Sequence, residues 1–253
     1  MGRTVIKAAT DAGDIRVVAA LEDAQSPAIG TDAGTLAGVG EIDVPVQPDD
    51  GAVAYDVMVD FSNPAATLSF VERCRRSGRK MVIGTTGCDE AGRRRIAEAA
   101  SEIAIVFAPN MSVGVNLCLR LLALTARVLG DDFDVEVVEA HHRHKRDAPS
   151  GTALRMGEVV AEALGRTVAD CAVYGREGIT GERPRGQIGF STLRAGEIVG
   201  EHTVLFADAG ERIEITHRAQ SRLTFASGAL RAARWLLQQD KGLFDMQDVL
   251  GLR

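Results

Sequence analysis

At 253 residues, the chain can bury a full core and is long enough for one large or two modest domains. Its 45% hydrophobic and 25% charged content is ordinary for a soluble globular protein, and a net charge of -6 speaks against a nucleic-acid partner, which needs a strongly basic surface. Four scattered cysteines (Cys74, Cys88, Cys118, Cys171) lack CxxC spacing and read as reduced packing residues of a cytoplasmic protein, with no signal peptide or membrane-spanning apolar run expected.

Met1 to Ala12 predicts a helix, with Val5, Ile6 and Ala9 on one side. Arg16 to Leu21 reads as a short apolar strand ending at Glu22-Asp23. A carboxylate at the end of the second strand of a dinucleotide fold accepts hydrogen bonds from the adenosine ribose. Standing alone, Glu22 reads as a surface acid. Residues 24–54, rich in Gly, Pro, Asp and Ala, read as loops with short elements. Val57 to Asp60 predicts a buried strand, followed by Phe61-Ser62-Asn63-Pro64 and a helix to about Ser77. Lys80 to Gly84 is the next strand, turning through Thr85-Thr86-Gly87 into a helix from about Asp89, and Ile103 to Ala108 is another. This alternation predicts an α/β fold with a Rossmann-like, doubly wound parallel sheet, whose ligands bind beyond the carboxyl ends of the strands.

Val115 to Leu129 is an apolar helix, read as the crossing between domains. A strand from Phe133 to His141, a helix to Leu164, and strands Gln187–Leu193, Ile198–Ala207 and Arg212–Arg218 predict a second, α+β domain with an open mixed sheet. A helix from Arg222 to Gln239, carrying the only tryptophan, Trp235, and a tail from Leu243 to Leu252 are expected to return to the first domain. The predicted domains are therefore 1–112 with 223–253, and 113–222.

Six cationic or protonatable side chains fall between His141 and Arg146, at the end of an apolar strand. Strand alternation puts His142 and His144 on one face, and His141, Arg143 and Lys145 on the other. Pro149 keeps its predecessor out of helical conformation, and Gly151 permits a tight turn. Ser150 or Thr152 can then cap a helix whose free N–H groups attract a carboxylate or phosphate. Histidine titrates near neutrality, and a lysine crowded by cations is easier to deprotonate. Together these features suit a small carboxylate substrate. Two other readings stand beside this one: a solvated basic face, or a metal hydrolase with zinc on His141, His142 and His144. The second lacks cysteine or carboxylate ligands, and Arg143, Lys145 and Arg146 repel a cation.

The run Glu139 to Ala153 (EAHHRHKRDAPSGTA) resembles the signature of the dihydrodipicolinate reductase family. Val82–Gly87, Ala108–Asn116, Gly178–Arg183, Val199–Thr203 and Gly242–Met246 extend the resemblance over essentially the whole chain. It implies NADH- or NADPH-dependent reduction of 4-hydroxy-tetrahydrodipicolinate, a small dicarboxylate, in lysine and diaminopimelate synthesis, by a homotetramer that packs second-domain sheets together. It implies His141 and Lys145 as the acid/base pair, with Lys145 the proton donor, and His142, Gly151 and Thr152 as substrate-binding residues. Gly84, Thr85, Thr86, Ala108, Pro109, Asn110 and Met111 would line the nicotinamide, with Glu22 on the ribose and Met1 in the phosphate turn. No metal, nucleic acid or membrane is implied. Closure about a hinge near Ser112 and Arg222 is expected to precede hydride transfer.

Two departures from the family pattern matter. Met1-Gly2-Arg3 resembles the tail of the family's glycine-rich turn, with the preceding strand and first glycines absent. A start codon placed too late is the expected reason; the alternative is a degenerate, non-catalytic oligomer that still binds dicarboxylate. Asp23 stands where some members carry an arginine suited to the NADP 2′-phosphate. An acid repels that phosphate, so NADH is expected to serve at least as well as NADPH, with Arg3 a partial offset.

Overall fold

Strand–helix alternation of the predicted kind builds the first part of the chain in the computed structural model, which describes residues 1–48 and 53–253. Residues 49–52, inside the stretch read as loop, lie outside the described residues. In order, the elements are α1 (Gly2–Ala12), β1 (Ala20–Leu21), α2 (Ala33–Ala37), β2 (Val46–Gln47), β3 (Val57–Asp60), α3 (Pro64–Ser77), β4 (Lys80–Ile83), α4 (Glu90–Ala99) and β5 (Ala104–Phe107). Then follow α5 (Val113–Leu129), a short 3-10 turn, β6 (Asp134–His141), α6 (Gly151–Ala163), α7 (Val168–Cys171), β7 (Ala172–Tyr174) and β8 (Ile188–Arg194). β9 (Gly200–Ala207), β10 (Arg212–Ala219), α8 (Leu223–Leu236), β11 (Gly242–Phe244) and α9 (Met246–Val249) complete the chain. Two compact units result: unit 1 is Met1–Val113 with Arg222–Arg253, and unit 2 is Gly114–Ser221.

In unit 1 the order β11-β5-β4-β3 forms a parallel sheet. Successive side chains of a strand point to opposite faces, and β4 and β5 feed two cores in this way. Val82, Ala104 and Val106 pack with Ala229, Ala232 and Leu236 of α8. Met81, Ile83 and Ile105 pack instead with Val71 and Cys74 of α3 and Ile96 of α4. Apolar cover on both faces is why these strands read as continuous hydrophobic runs. The helix starts follow local chemistry: Asn63 accepts from Ala66 N at 3.1 Å with Pro64 in the first turn, and Asp89 accepts from Gly92 N at 2.7 Å.

Two strand expectations need correction. Arg16 to Leu21 pairs only over Ala20–Leu21, because its partner β2 is itself two residues long. β3 is half-exposed rather than buried over Val57–Val59, because it lies at the edge of the sheet, with β4 its only neighbour among the described residues. α2 and β2 are among the short elements expected within residues 24–54, whereas α7 and β7 escaped the sequence reading.

Unit 2 carries a mixed sheet ordered β10-β9-β6-β8-β7, parallel between β6, β8 and β7 and antiparallel between β6, β9 and β10. One face is covered by α5 and α6, through Cys118, Leu122 and Ala126 on the first and Ala153, Met156 and Val160 on the second. No apolar run long enough to cross a membrane was expected, yet the helical stretch Val113–Asp132 is long and apolar enough to do so by length and composition. Its apolar character comes from serving the core on one side while Leu117, Leu121, Leu124 and Val128 remain exposed on the other.

Candidate active site

One face of β6 changes character along its length. Val135 and Val137 sit in the core of unit 2, and the same face continues through Glu139 to His141 at the strand's end. A carboxylate as deep as Glu139, which is 1% exposed, must be supplied with donors. Arg194 grips both of its oxygens at 2.8 Å, Ser150 N donates to Oε1 at 3.1 Å, and Thr192 Oγ1 does so at 3.3 Å. His141 Nδ1 lies 2.6 Å from Oε2. Burial alone would raise the Glu139 pKa, but the hydrogen bonds from Arg194 and His141 outweigh it and hold the carboxyl below its ordinary range. The His141 pKa is pulled down chiefly by burial, against the Glu139 hydrogen bond and with the Lys145 and Arg194 charges adding to the fall.

Strand alternation stops at His141, a correction to the two-face arrangement read from the sequence. The chain turns at once, with Lys145 N donating to His142 O at 3.1 Å and Arg143 N to Gly196 O at 3.2 Å. Arg143, His144 and Arg146 are exposed, whereas Lys145 is half-buried. Its ammonium donates to both Asp147 carboxylate oxygens, at 2.8 and 2.9 Å. His142 is half-buried with its Nδ1 sequestered and unbonded, its ring 6.1 Å from that of His144. Of the two candidate caps, Ser150 is the one used, accepting from Ala153 N at 3.1 Å. A Cβ added at Gly151 would meet nothing within 4 Å, so the start of α6 is open. Among the described residues, no three or more His, Cys, Asp or Glu side chains are grouped to hold a metal ion.

His202, on β9 directly across from Glu139, was not singled out from the sequence. It is 4% exposed, its Nε2 lies 2.9 Å from Ser150 Oγ, and its ring meets that of His141 edge-on at 5.1 Å. Burial, reinforced by His141, depresses its pKa to about 4 from 6.5. Above pH 6.5 the ring is neutral whether the chain is folded or not. As the pH falls from 6.5 towards 4, only the unfolded chain takes up this proton, so stability drops by roughly 3 kcal/mol through that window and no further below it. Urea unfolding as a function of pH should therefore show a shallower slope over that window for His202→Gln than for the parent. Equal slopes would refute the burial account.

In unit 1 the strands β3, β4 and β5 end side by side, with Gly84 N donating to Asp60 O at 2.8 Å and Ala108 N to Ile83 O at 3.1 Å. The buried Asp60 carboxylate ties the loops beyond them together. It accepts from Thr67 Oγ1 at 2.5 Å, Thr85 Oγ1 at 3.0 Å and Ser62 N at 3.0 Å. Thr86 and Pro109 are exposed and Asn110 is half-buried, whereas Thr85, Ala108 and Met111 are buried and turn their side chains inward. A Cβ at Gly84 would run into the Phe61 ring, which explains a glycine there. Met1 precedes α1 and gives it no side-chain cap, and Glu22 is exposed just after β1, its carboxylate accepting from Asp23 N at 2.9 Å. The expected site residues thus fall into two sets, one in each unit. Sequence reasoning missed Glu139, Arg194 and His202.

A family model described as dihydrodipicolinate reductase, N-terminus, matches residues 1–111, and one described as dihydrodipicolinate reductase, C-terminus, matches residues 114–250. A 4-hydroxy-tetrahydrodipicolinate reductase of Methylococcus capsulatus is 60% identical over 100% of this chain and 95% of its own. One from Hahella chejuensis is 58% identical, over 100% and 96%. The dipicolinate-bound dihydrodipicolinate reductase from Paenisporosarcina sp. TG-14 shares the fold, with a TM-score of 0.76 at 23% identity, covering 98% of this chain and 94% of that one. GenD2 from gentamicin A biosynthesis, solved in complex with NAD, is similar in fold at a TM-score of 0.61 and 14% identity, over 100% and 88%.

Proposed function

Because the chain belongs to the dihydrodipicolinate reductase family, we propose that it reduces (2S,4S)-4-hydroxy-2,3,4,5-tetrahydrodipicolinate to tetrahydrodipicolinate. The overall reaction consumes one hydride and one proton, releases water, and belongs to lysine and diaminopimelate biosynthesis. The observation that carries the reading is the Glu139-to-Thr152 segment. It unites a histidine of lowered proton affinity, a half-buried lysine and the open start of a 13-residue helix on one short stretch. His141 and Lys145 serve as the acid/base pair, with Lys145 giving the proton. The substrate carboxylate is taken by His142, whose buried Nδ1 has no other partner, and by the amides at Gly151 and Thr152.

The residues of unit 1 fit a nicotinamide cofactor. The uncapped start of α1 at Met1 suits the pyrophosphate, Glu22 the ribose hydroxyls, and the turns Gly84–Thr86 and Ala108–Met111 the nicotinamide. Bound there, the cofactor supplies the hydride. This chain's residues orient it and keep the loops in place through Asp60. A homotetramer in the cytoplasm completes the proposal. Leu193, half-exposed on the sheet face away from α6, favours packing against another copy, and four buried free cysteines suit a reducing compartment.

Asp23 favours NADH, with Arg3 a partial offset. Its carboxylate accepts from Gln25 N at 2.9 Å beside Glu22, so two acids stand where a 2′-phosphate would need a cation. Steady-state assays with each cofactor should give a kcat/KM for NADH at least equal to that for NADPH. A strong NADPH preference would refute the cofactor assignment, and no cofactor oxidation with this substrate would overturn the function.

A further inference from the structure

We infer that Glu139 and Arg194 act as a positioning pair for His141. The carboxylate keeps a proton on Nδ1 and leaves Nε2 as the ring's acceptor, while the guanidinium limits how strongly that carboxylate favours a second proton. The inference rests on His141 being an acid/base group of the proposed reaction and names what prepares it.

The tautomer follows from the donors around one carboxylate. Arg194 is protonated at any working pH and donates to both Glu139 oxygens at 2.8 Å, so the carboxyl is ionised and offers only lone pairs. The ring nitrogen 2.6 Å from Oε2 must therefore carry a hydrogen, and in a neutral imidazole that leaves Nε2 bare. Nε2 lies against a glycine: a Cβ added at Gly200 would sit 3.0 Å from it. No side chain at that position competes for its lone pair.

The balance of charge follows from what surrounds the ring. Glu139 on β6 and Arg194 on β8 flank it, since His141 and Arg194 are register partners. Lys145 bears on it from the turn, paired with Asp147, and His202 on β9 meets it edge-on, with His217 beyond on β10. A carboxylate standing alone beside an imidazole favours the imidazolium. Here Arg194 spends much of that charge, and it is itself fixed by donating to Leu193 O and Asp147 O at 2.7 Å each. The ring is thus oriented by an acid without being locked in its protonated form, as a group that must both take and give a proton requires.

Removing the two partners should then move His141 in opposite directions, which a purely structural role would not do. Nitrogen-15 NMR of histidine-labelled enzyme reads both tautomer and titration. The parent should show the proton on Nδ1. Glu139→Gln should shift the His141 titration to lower pH, Arg194→Gln to higher pH, and Arg194→Lys should leave it near the parent. In parallel, Glu139→Gln should lower kcat by up to about 10⁴-fold, the loss seen when the carboxylate that fixes the tautomer of an acid/base histidine is made an amide. A proton on Nε2 in the parent, or shifts of the same sign in Glu139→Gln and Arg194→Gln, would overturn the inference. Should Glu139→Gln fail to fold, the arginine variants decide, and equal shifts in Arg194→Gln and Arg194→Lys count against it. If the NMR titration moves as expected but the pH profile of kcat/KM stays put, the pair stands and His141 loses its place in the reaction.

Discussion

Replacing Lys145 with alanine is expected to lower kcat by about 10²- to 10⁴-fold, the span typical of a positioned proton donor. Substrate binding should change much less. The side chain is only 19% exposed and is steadied by two hydrogen bonds to Asp147, so its ammonium is already oriented before any ligand arrives. The carboxylate-binding groups, His142 and the amides of α6, remain in the variant. The check is a split between parameters: kcat from steady-state assays should collapse, while the dissociation constant for dipicolinate by calorimetry stays within about tenfold. An unchanged kcat would show that the proton comes from elsewhere.

Gly228→Ala should cost about 1–3 kcal/mol of stability or more, as overpacking of a filled interior does. Gly228 is buried in α8, and a methyl group there would be driven into the backbone carbonyl oxygen of Met111. Backbone yields less readily than a side-chain tip, so the turn Ala108–Met111 must move. Because that turn is assigned to the nicotinamide, the affinity for NADH should weaken together with the stability. Urea unfolding and calorimetric titration of the same variant test both. A variant within about 0.5 kcal/mol of its parent would mean that α8 slides aside without disturbing the turn.

What could be read from the sequence was what local chemistry dictates. The helices ending near Ser77 and beginning near Asp89 were placed, β4 and β5 were visible as apolar runs, and Ser150 was one of two candidate caps, since such caps act within a single turn. The groups that prepare His141 were not legible. Arg194 reaches Glu139 through the parallel pairing of β6 with β8, and His202 through the antiparallel pairing with β9. Both depend on a register between strands more than fifty residues apart, which no short window contains. One signal was present. Val135, Val137, Glu139 and His141 share a period of two, and an acid continuing an apolar face calls for a cation somewhere in the chain. The turn after His141 was given strand alternation because the unbroken polar run His141–Arg146 holds no glycine or proline to mark where the ladder ends.

Unit 1 is written in two pieces around unit 2, and this orders events during synthesis. β5 gains its outer neighbour only when β11 emerges, and the interior beside Val82 and Val106 is filled only by α8 and α9. On the ribosome, unit 2 therefore holds every residue of its own core before unit 1 does. Until then the nascent N-terminal segment must wait with one face of its sheet still wet.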